Sequence, residues 1–406
     1  MNHSASRQFT ERRRDARLVC AAAMIALAVA MGVGRFAFTP LFPLMVRDGL
    51  LDAQSGALLA ASNYLGYLVG ALLAARLKLR PAALLALGLL ATVTVTAAVG
   101  WASSVATWTV LRFVAGALSA WTLVATTAWG LGWLASLGRP HLAGALFAGV
   151  GLGIAAAGVF CLVAPSFEAS ALALWVDLGA LAALAISVPL IVSRRLPAPP
   201  PMTDAAPSAM PSHPARAAPA RTAGLVACYA LFGFGYILPA TYLPALARQV
   251  VDDPHVFGWA WPLFGSAAAI STIVVAALLK SANRAAVWAA CHLAMALGVL
   301  LPIVWPALSG VIASALLVGG TFMVITMVGM QEARSRVADN PTAVLGRMTA
   351  GFAFGQLMGP VVSAAIGHVV SDHTIALDLA LALSATGLLA SAWYLWRHER
   401  RHHSTN

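Results

Sequence analysis

The sequence predicts an all-α polytopic membrane protein whose twelve helices form two parallel six-helix bundles. Three observations carry this expectation. The 406 residues are 60% hydrophobic and only 10% charged, where ordinary soluble domains carry about 25% charge. Apolar runs long enough to cross a ~30 Å hydrocarbon core recur twelve times. Basic residues gather on alternate connections. These features exclude a soluble enzyme, a disordered chain and a secreted disulfide scaffold. The alternating ten-residue pattern of a membrane β-barrel is missing.

Taken in order, the apolar segments fall near 18–46, 56–76, 81–100, 106–134, 141–164 and 171–193, then near 223–247, 257–279, 285–304, 308–330, 345–370 and 374–396. The first follows Arg7, Arg12, Arg13, Arg14 and Arg17, as a signal peptide would. Its apolar run continues to about Met45, too long for a cleaved signal, so it reads as an uncleaved first helix. With the N-terminus inside, the inner segments hold 21 of the 25 Lys and Arg residues. The outer loops hold Arg47 and Arg248, with Asp48, Asp52, Glu168, Asp252, Asp253 and Asp372. Excess basic charge on cytoplasmic loops orients helical membrane proteins. Adding or removing one helix would destroy the alternation. The net charge of +11 is thus an orientation signal rather than a nucleic-acid footprint. The expected location is a bacterial inner (plasma) membrane, with both termini cytoplasmic. Trp101, Trp175, Trp305, Trp393 and Trp396 fall near span ends, as interfacial belt residues do.

Residues 196–222 are rich in Pro and Ala and cannot form a core, so they read as a cytoplasmic linker. The linker separates an N-terminal bundle, residues 1–195, from a C-terminal bundle, residues 223–406. At an offset of 201, Gly32, Gly34, Pro43, Arg47 and Asp52 fall on Gly233, Gly235, Pro244, Arg248 and Asp253. Asp177 falls on Asp378. Six spans per half, an even number, give both halves one orientation, the parallel-repeat plan of a transporter.

No nucleotide loop, metal-ligand cluster or nucleophile elbow is present. Cys20, Cys161, Cys228 and Cys291 lie in apolar runs without paired spacing. The chain is therefore not expected to be an enzyme, and no cofactor or metal is expected. Transport without an ATP site implies a gradient, with a coupling ion such as a proton.

Arg35 is the most informative residue, because an arginine deep in a span costs ~2.5–3.5 kcal/mol on insertion scales and normally faces a bundle interior. Pro40 and Pro43 follow it and free backbone carbonyls. Thr39, four residues on, shares its face. Arg35 reads as a cationic site for an anionic group, or as a structural arginine paired with carbonyls. Arg112 lies in the fourth span, with Gly116 and Ser119 on its face. It reads as a gate, a proton-coupling residue or an interfacial anchor about a turn and a half deep. Asn63, Tyr64 and Tyr67 of the second span are candidates to line a cavity beside Arg35. Tyr229, Tyr236, Tyr242, His292 and Gln356 are the polar candidates of the second half, each also readable as a helix–helix hydrogen bond. Asp177 is a candidate proton carrier, or an interfacial acid near the outer face. The glycines Gly153, Gly355 and Gly359, with Pro360, are expected to allow close helix packing.

Several of these residues carry a resemblance. Arg112-Phe-Val-Ala-Gly116 resembles the fourth-span Arg-x-x-Gln-Gly motif of the major facilitator superfamily, with Ala115 in place of Gln. Gly355-Gln-Leu-Met-Gly359-Pro360 resembles its Gly-x-x-x-Gly-Pro motif. Gly70-Ala-Leu72-Leu-Ala74-Ala75-Arg76-Leu-Lys78-Leu-Arg80 is similar to its loop after the second span, but has Ala74 and Ala75 where Asp and Arg usually stand. Arg35-Phe-Ala-Phe-Thr-Pro-Leu-Phe-Pro43, with Ala61-Ser-Asn63-Tyr-Leu-Gly-Tyr67, resembles the YbfB/YjiJ-like branch of bacterial inner-membrane proteins. The resemblance implies the major facilitator fold and a monomeric secondary transporter working by alternating access. Two arginines without a central carboxylate suggest a small organic anion. Proton-linked efflux of amphipathic compounds and a non-transporting membrane sensor are the alternatives.

Overall fold

The computed structural model describes residues 2–74, 76–163, 169–198, 217–250, 258–279, 282–337, 340–370 and 372–403. Among them, twelve helices are long and apolar enough to cross a membrane. The first six are α1 (Thr10–Arg47), α2 (Gln54–Ala74), α3 (Pro81–Val99), α4 (Val105–Ser136), α5 (Pro140–Val163) and α6 (Ala171–Arg195). The second six are α7 (Thr222–Ala240), α8 (Ala260–Leu278), α9 (Arg284–Val304), α10 (Leu308–Arg336), α11 (Pro341–Val369) and α12 (Thr374–Arg397).

Local chemistry explains where the helices begin and bend. Ser104, Ser170, Asn283 and Asn340 accept hydrogen bonds from first-turn amides, satisfying groups a helix start leaves unpaired. Pro81 and Pro341 stand in first-turn positions, where a missing N–H is harmless. Gly49 and Gly138 take positive φ in the turns after α1 and α4, a conformation that favours glycine. The sixth segment, expected as one continuous helix, instead has a joint at Ile186 between Ala171–Ala185 and Ser187–Arg195. Pro189 explains it, since the ring lacks the N–H that would bond the Ala185 carbonyl. The helix containing α7 begins at Ala217, five residues before the expected linker end at Thr222. Most of that linker, residues 199–216, lies outside the described residues.

The spans form two six-helix bundles. In the first, α4 packs on α2 and α3, and α1 on α5. In the second, α9 packs on α10 and α12, and α11 on α7. The bundles meet along two seams, α5 against α8 and α2 against α11. The offset of 201 carries α2 largely onto α8 and α5 onto α11, so each seam is the image of the other. The even span count places both termini on one face, which also carries most of the basic residues.

Trp101, Trp305, Trp393 and Trp396 are exposed, as belt residues should be. Trp175 is buried instead, within a satellite core with Phe38, Leu41 and Trp108. Its place near a span end concealed that it points inward.

Candidate functional site

The site begins with a defect in α1. Residues Ala28–Phe36 wind as a π-helical stretch before an α-helix resumes at Phe38. In an i→i+5 pattern the partner of the Arg35 carbonyl would be residue 40, a proline with no N–H to give. Arg112 supplies the missing donor and bonds the preceding carbonyl as well. Its Nη1 donates to the Gly34 carbonyl at 3.2 Å and its Nη2 to the Arg35 carbonyl at 2.8 Å. Its guanidinium also lies 4.9 Å from the Phe38 ring centroid. Arg112, expected as a gate, a proton-coupling residue or an interfacial anchor, is only 3% exposed and braces the broken helix. Position along α4 alone does not show the brace, because the carbonyls it holds lie on α1. Asn63 holds the brace from behind, donating to the Arg112 carbonyl at 2.9 Å. Gly116 permits that approach, since a Cβ there would collide with the Asn63 carbonyl.

With its backbone braced, the Arg35 side chain turns to the seam. The residue is 2% exposed. Its Cζ lies 3.6 Å from the Tyr67 ring centroid and 5.2 Å from that of Phe36, within cation–π range. Its Nη2 donates to Gln356 Oε1 on α11, a bond between the two bundles. Its Nε and Nη1 are buried without partners among the described residues. Among those residues no Asp or Glu pairs with Arg35 or Arg112; the ion pairs are Arg47–Asp48, Arg284–Glu332 and Arg336–Glu332.

Aromatic rings complete the seam. Phe36 meets Phe322 and Trp261 edge-on at 6.2 and 6.3 Å, and Tyr67 meets Phe352 at 6.5 Å. Behind them Tyr236 stacks on Phe322 at 4.4 Å. Tyr236 occupies the position that the internal repeat assigns to Arg35. The structure thus gathers Arg35, Tyr67, Gln356 and Tyr236. Thr39 is half-buried, and no hydrogen bond links it to Arg35 among the described residues. Asp177 is exposed on α6, away from this cluster. His292 accepts from Trp288 at 2.9 Å within the second bundle. The side chain of Tyr242 lies outside the described residues. Phe36, Trp261, Phe322 and Phe352 were not singled out from the sequence, because an aromatic residue in an apolar helix looks like ordinary packing.

The glycines divide by partner. A Cβ at Gly153 would collide with Ala28 of α1, at Gly355 with Ala230 of α7, and at Gly359 with Ile237. These contacts lie within bundles. Pro360 continues α11 without ending it. The seam between bundles uses Gly144, Gly151 and Gly158 on α5, facing Thr272, Gly265 and Pro262 of α8. Their spacing of seven residues was the available sequence signal. At the basic face, a cavity of about 780 Å³ opens beside Pro140, His141, Asn283 and Glu332. There Glu332 holds Arg336 at 2.9 Å and Arg284 at 3.9 Å.

A polytopic protein whose two repeated bundles meet on a buried cation has the make-up of a major facilitator transporter. The profile of the family described as "Uncharacterised MFS-type transporter YbfB" matches residues 27–394. The chain belongs to this family. Among solved structures, it is similar to the human organic anion transporter MFSD10 (TETRAN), with TM-score 0.67 and 16% identity over 95% of this chain and 99% of that one. It is also similar to the major facilitator transporter FucP in the outward conformation, with TM-score 0.65 and 15% identity over 92% of this chain and 98% of that one. These likenesses establish the fold. No curated protein sequence matches the chain.

Proposed function

We propose that the protein is a secondary active transporter of small organic anions in a bacterial inner membrane. Residues 1–195 and 223–406 rock about the central seam, with residues 196–222 as cytoplasmic linker and both termini cytoplasmic. The protein works as a monomer coupled to an ion gradient, for which a proton is the simplest choice. One observation carries the reading: Arg35 is buried between the bundles with two unpartnered guanidinium nitrogens and no carboxylate partner among the described residues. A membrane-buried charge is costly to keep, and an anion arriving there offsets that cost. A carboxylate accepts from two guanidinium nitrogens together, whereas Gln356 accepts from one. Arg35 binds the anion beside Tyr67, while Gln356 and Tyr236 present the opposite wall. Asn63 and Arg112 position the site, and substrate competition with Gln356 couples binding to bundle separation.

Purified protein in proteoliposomes, screened with labelled organic anions, neutral analogues and cations, tests the proposal. Uptake confined to anions and lost in Arg35→Gln is expected. Uptake of neutral or cationic cargo alone, or full activity in Arg35→Gln, contradicts it.

A further inference from the structure

We infer that the anion is an aromatic monocarboxylate, an inference that rests on the anion reading of Arg35. The central seam is made of two kinds of contact. One is the bond from Arg35 to Gln356. The other is a set of ring contacts in which Phe36 of the first bundle covers Phe322 and Trp261 of the second, and Tyr67 meets Phe352. Separating the bundles breaks both kinds at once. It leaves a guanidinium on one side and an aromatic wall on the other. A ligand that lets the seam close again must therefore satisfy both. A carboxylate replaces the Gln356 oxygen on Arg35, and a flat ring replaces the edge of Phe36 against Phe322 and Trp261.

The charge of the ligand follows from the same inventory. Arg112 has both terminal nitrogens engaged by the Gly34 and Arg35 carbonyls and only its Nε unpartnered, so Arg35, with Nε and Nη1 both unpartnered, offers the wider cationic edge. One negative charge balances it, and a second would be buried without a partner. Beside Arg35 and the ring wall, the unpartnered neutral groups are Gln356 Nε2, Tyr236 Oη and Trp261 Nε1, all buried. They suit a hydroxyl or carbonyl oxygen on the ring, not another carboxylate. Rings meeting edge to face or in offset stacks attract beyond their buried area, so the wall distinguishes an aromatic ring from a saturated one of similar size.

Isothermal titration of the purified full-length protein with benzoate, cyclohexanecarboxylate, acetate and benzamide tests this. Benzoate should bind about fivefold more tightly than cyclohexanecarboxylate, the factor one aromatic pair supplies. Acetate and benzamide should bind far more weakly than either. Phe322→Leu should remove the preference for benzoate over cyclohexanecarboxylate and keep the preference over benzamide. Arg35→Gln should do the reverse. Thermal melts without ligand report whether each variant is folded, and the wild-type comparisons decide the matter if one is not. Equal binding of benzoate and cyclohexanecarboxylate, or no binding of benzoate where another organic anion binds through Arg35, overturns the aromatic inference and leaves the anion reading standing. Benzamide binding as well as benzoate overturns both.

Discussion

At the residue scale, two arginines that look alike in sequence have different surroundings. Arg112 is spent on backbone: it closes the π-helical break of α1 through the Gly34 and Arg35 carbonyls. Arg112→Gln should lower the melting temperature in detergent, at a cost of about 1–3 kcal/mol for each carbonyl that loses this donor. Arg35 is the opposite case. Its side chain has unused donors, and removing its charge relieves a burial cost of ~2.5–3.5 kcal/mol on insertion scales. Arg35→Gln should therefore melt at the same temperature as the parent or higher, while losing anion uptake. A large drop in stability would instead mark Arg35 as a structural brace. The sequence made Arg35 conspicuous, since a charge amid apolar residues stands out. It did not reveal Gln356 as its partner, because the two are 321 residues apart and no local pattern joins them.

At the element scale, the helices obey rules that hydropathy already expresses. Their number and order follow from apolar length and turn chemistry, and the observed spans agree with the expected ones to within several residues at most ends. What hydropathy does not encode is which face of a helix meets which neighbour. On α5, Gly149 and Gly153 face α1 while Gly144, Gly151 and Gly158 face α8, and the two sets interleave within one glycine-rich run. A Cβ at Gly151 would come within 2.5 Å of the Gly265 carbonyl oxygen. Overpacking of this kind costs about 1–3 kcal/mol. Gly151→Ala should slow transport by forcing the seam apart, whereas Gly320→Ala, with nothing within 4 Å of its Cβ, should behave as the parent. Paired uptake assays distinguish the two positions.

The loop after α1 carries a smaller device. Asp48 accepts from Arg47 Nε at 2.7 Å and from the Ala171 amide at 2.7 Å, tying α1 to the start of α6. Chiefly through the Arg47 hydrogen bond, its carboxyl is held below the ordinary carboxylate range. A lowered folded-state pKa gives stability that is present above the unfolded value and lost as pH falls through the folded value. Asp48→Asn should thus be less stable than the parent at neutral pH, by about 1 kcal/mol or less because Arg47 is largely exposed. The gap should close below about pH 4, where an ordinary aspartate protonates. Melting curves across pH measure it.

At the scale of the whole molecule, the internal repeat organises what the single helices cannot. It makes the α2–α11 and α5–α8 seams images of one another, and it sets Arg35 of the first bundle opposite Tyr236 in the second. The halves are alike in backbone and unlike at their centre, one bringing a cation and the other a wall of rings. The repeat was legible in Gly, Pro, Arg and Asp matches at one offset. The aromatic wall was not, because Trp261, Phe322 and Phe352 come from three separate helices and only the closed seam brings them to Phe36 and Tyr67. The central claim is that an organic anion binds at this seam by taking the place of Gln356 on Arg35. A structure determined with a transported anion tests it most directly. The account predicts the carboxylate on the Arg35 guanidinium, with the Arg35–Gln356 bond broken; an anion bound elsewhere, with that bond intact, would contradict it.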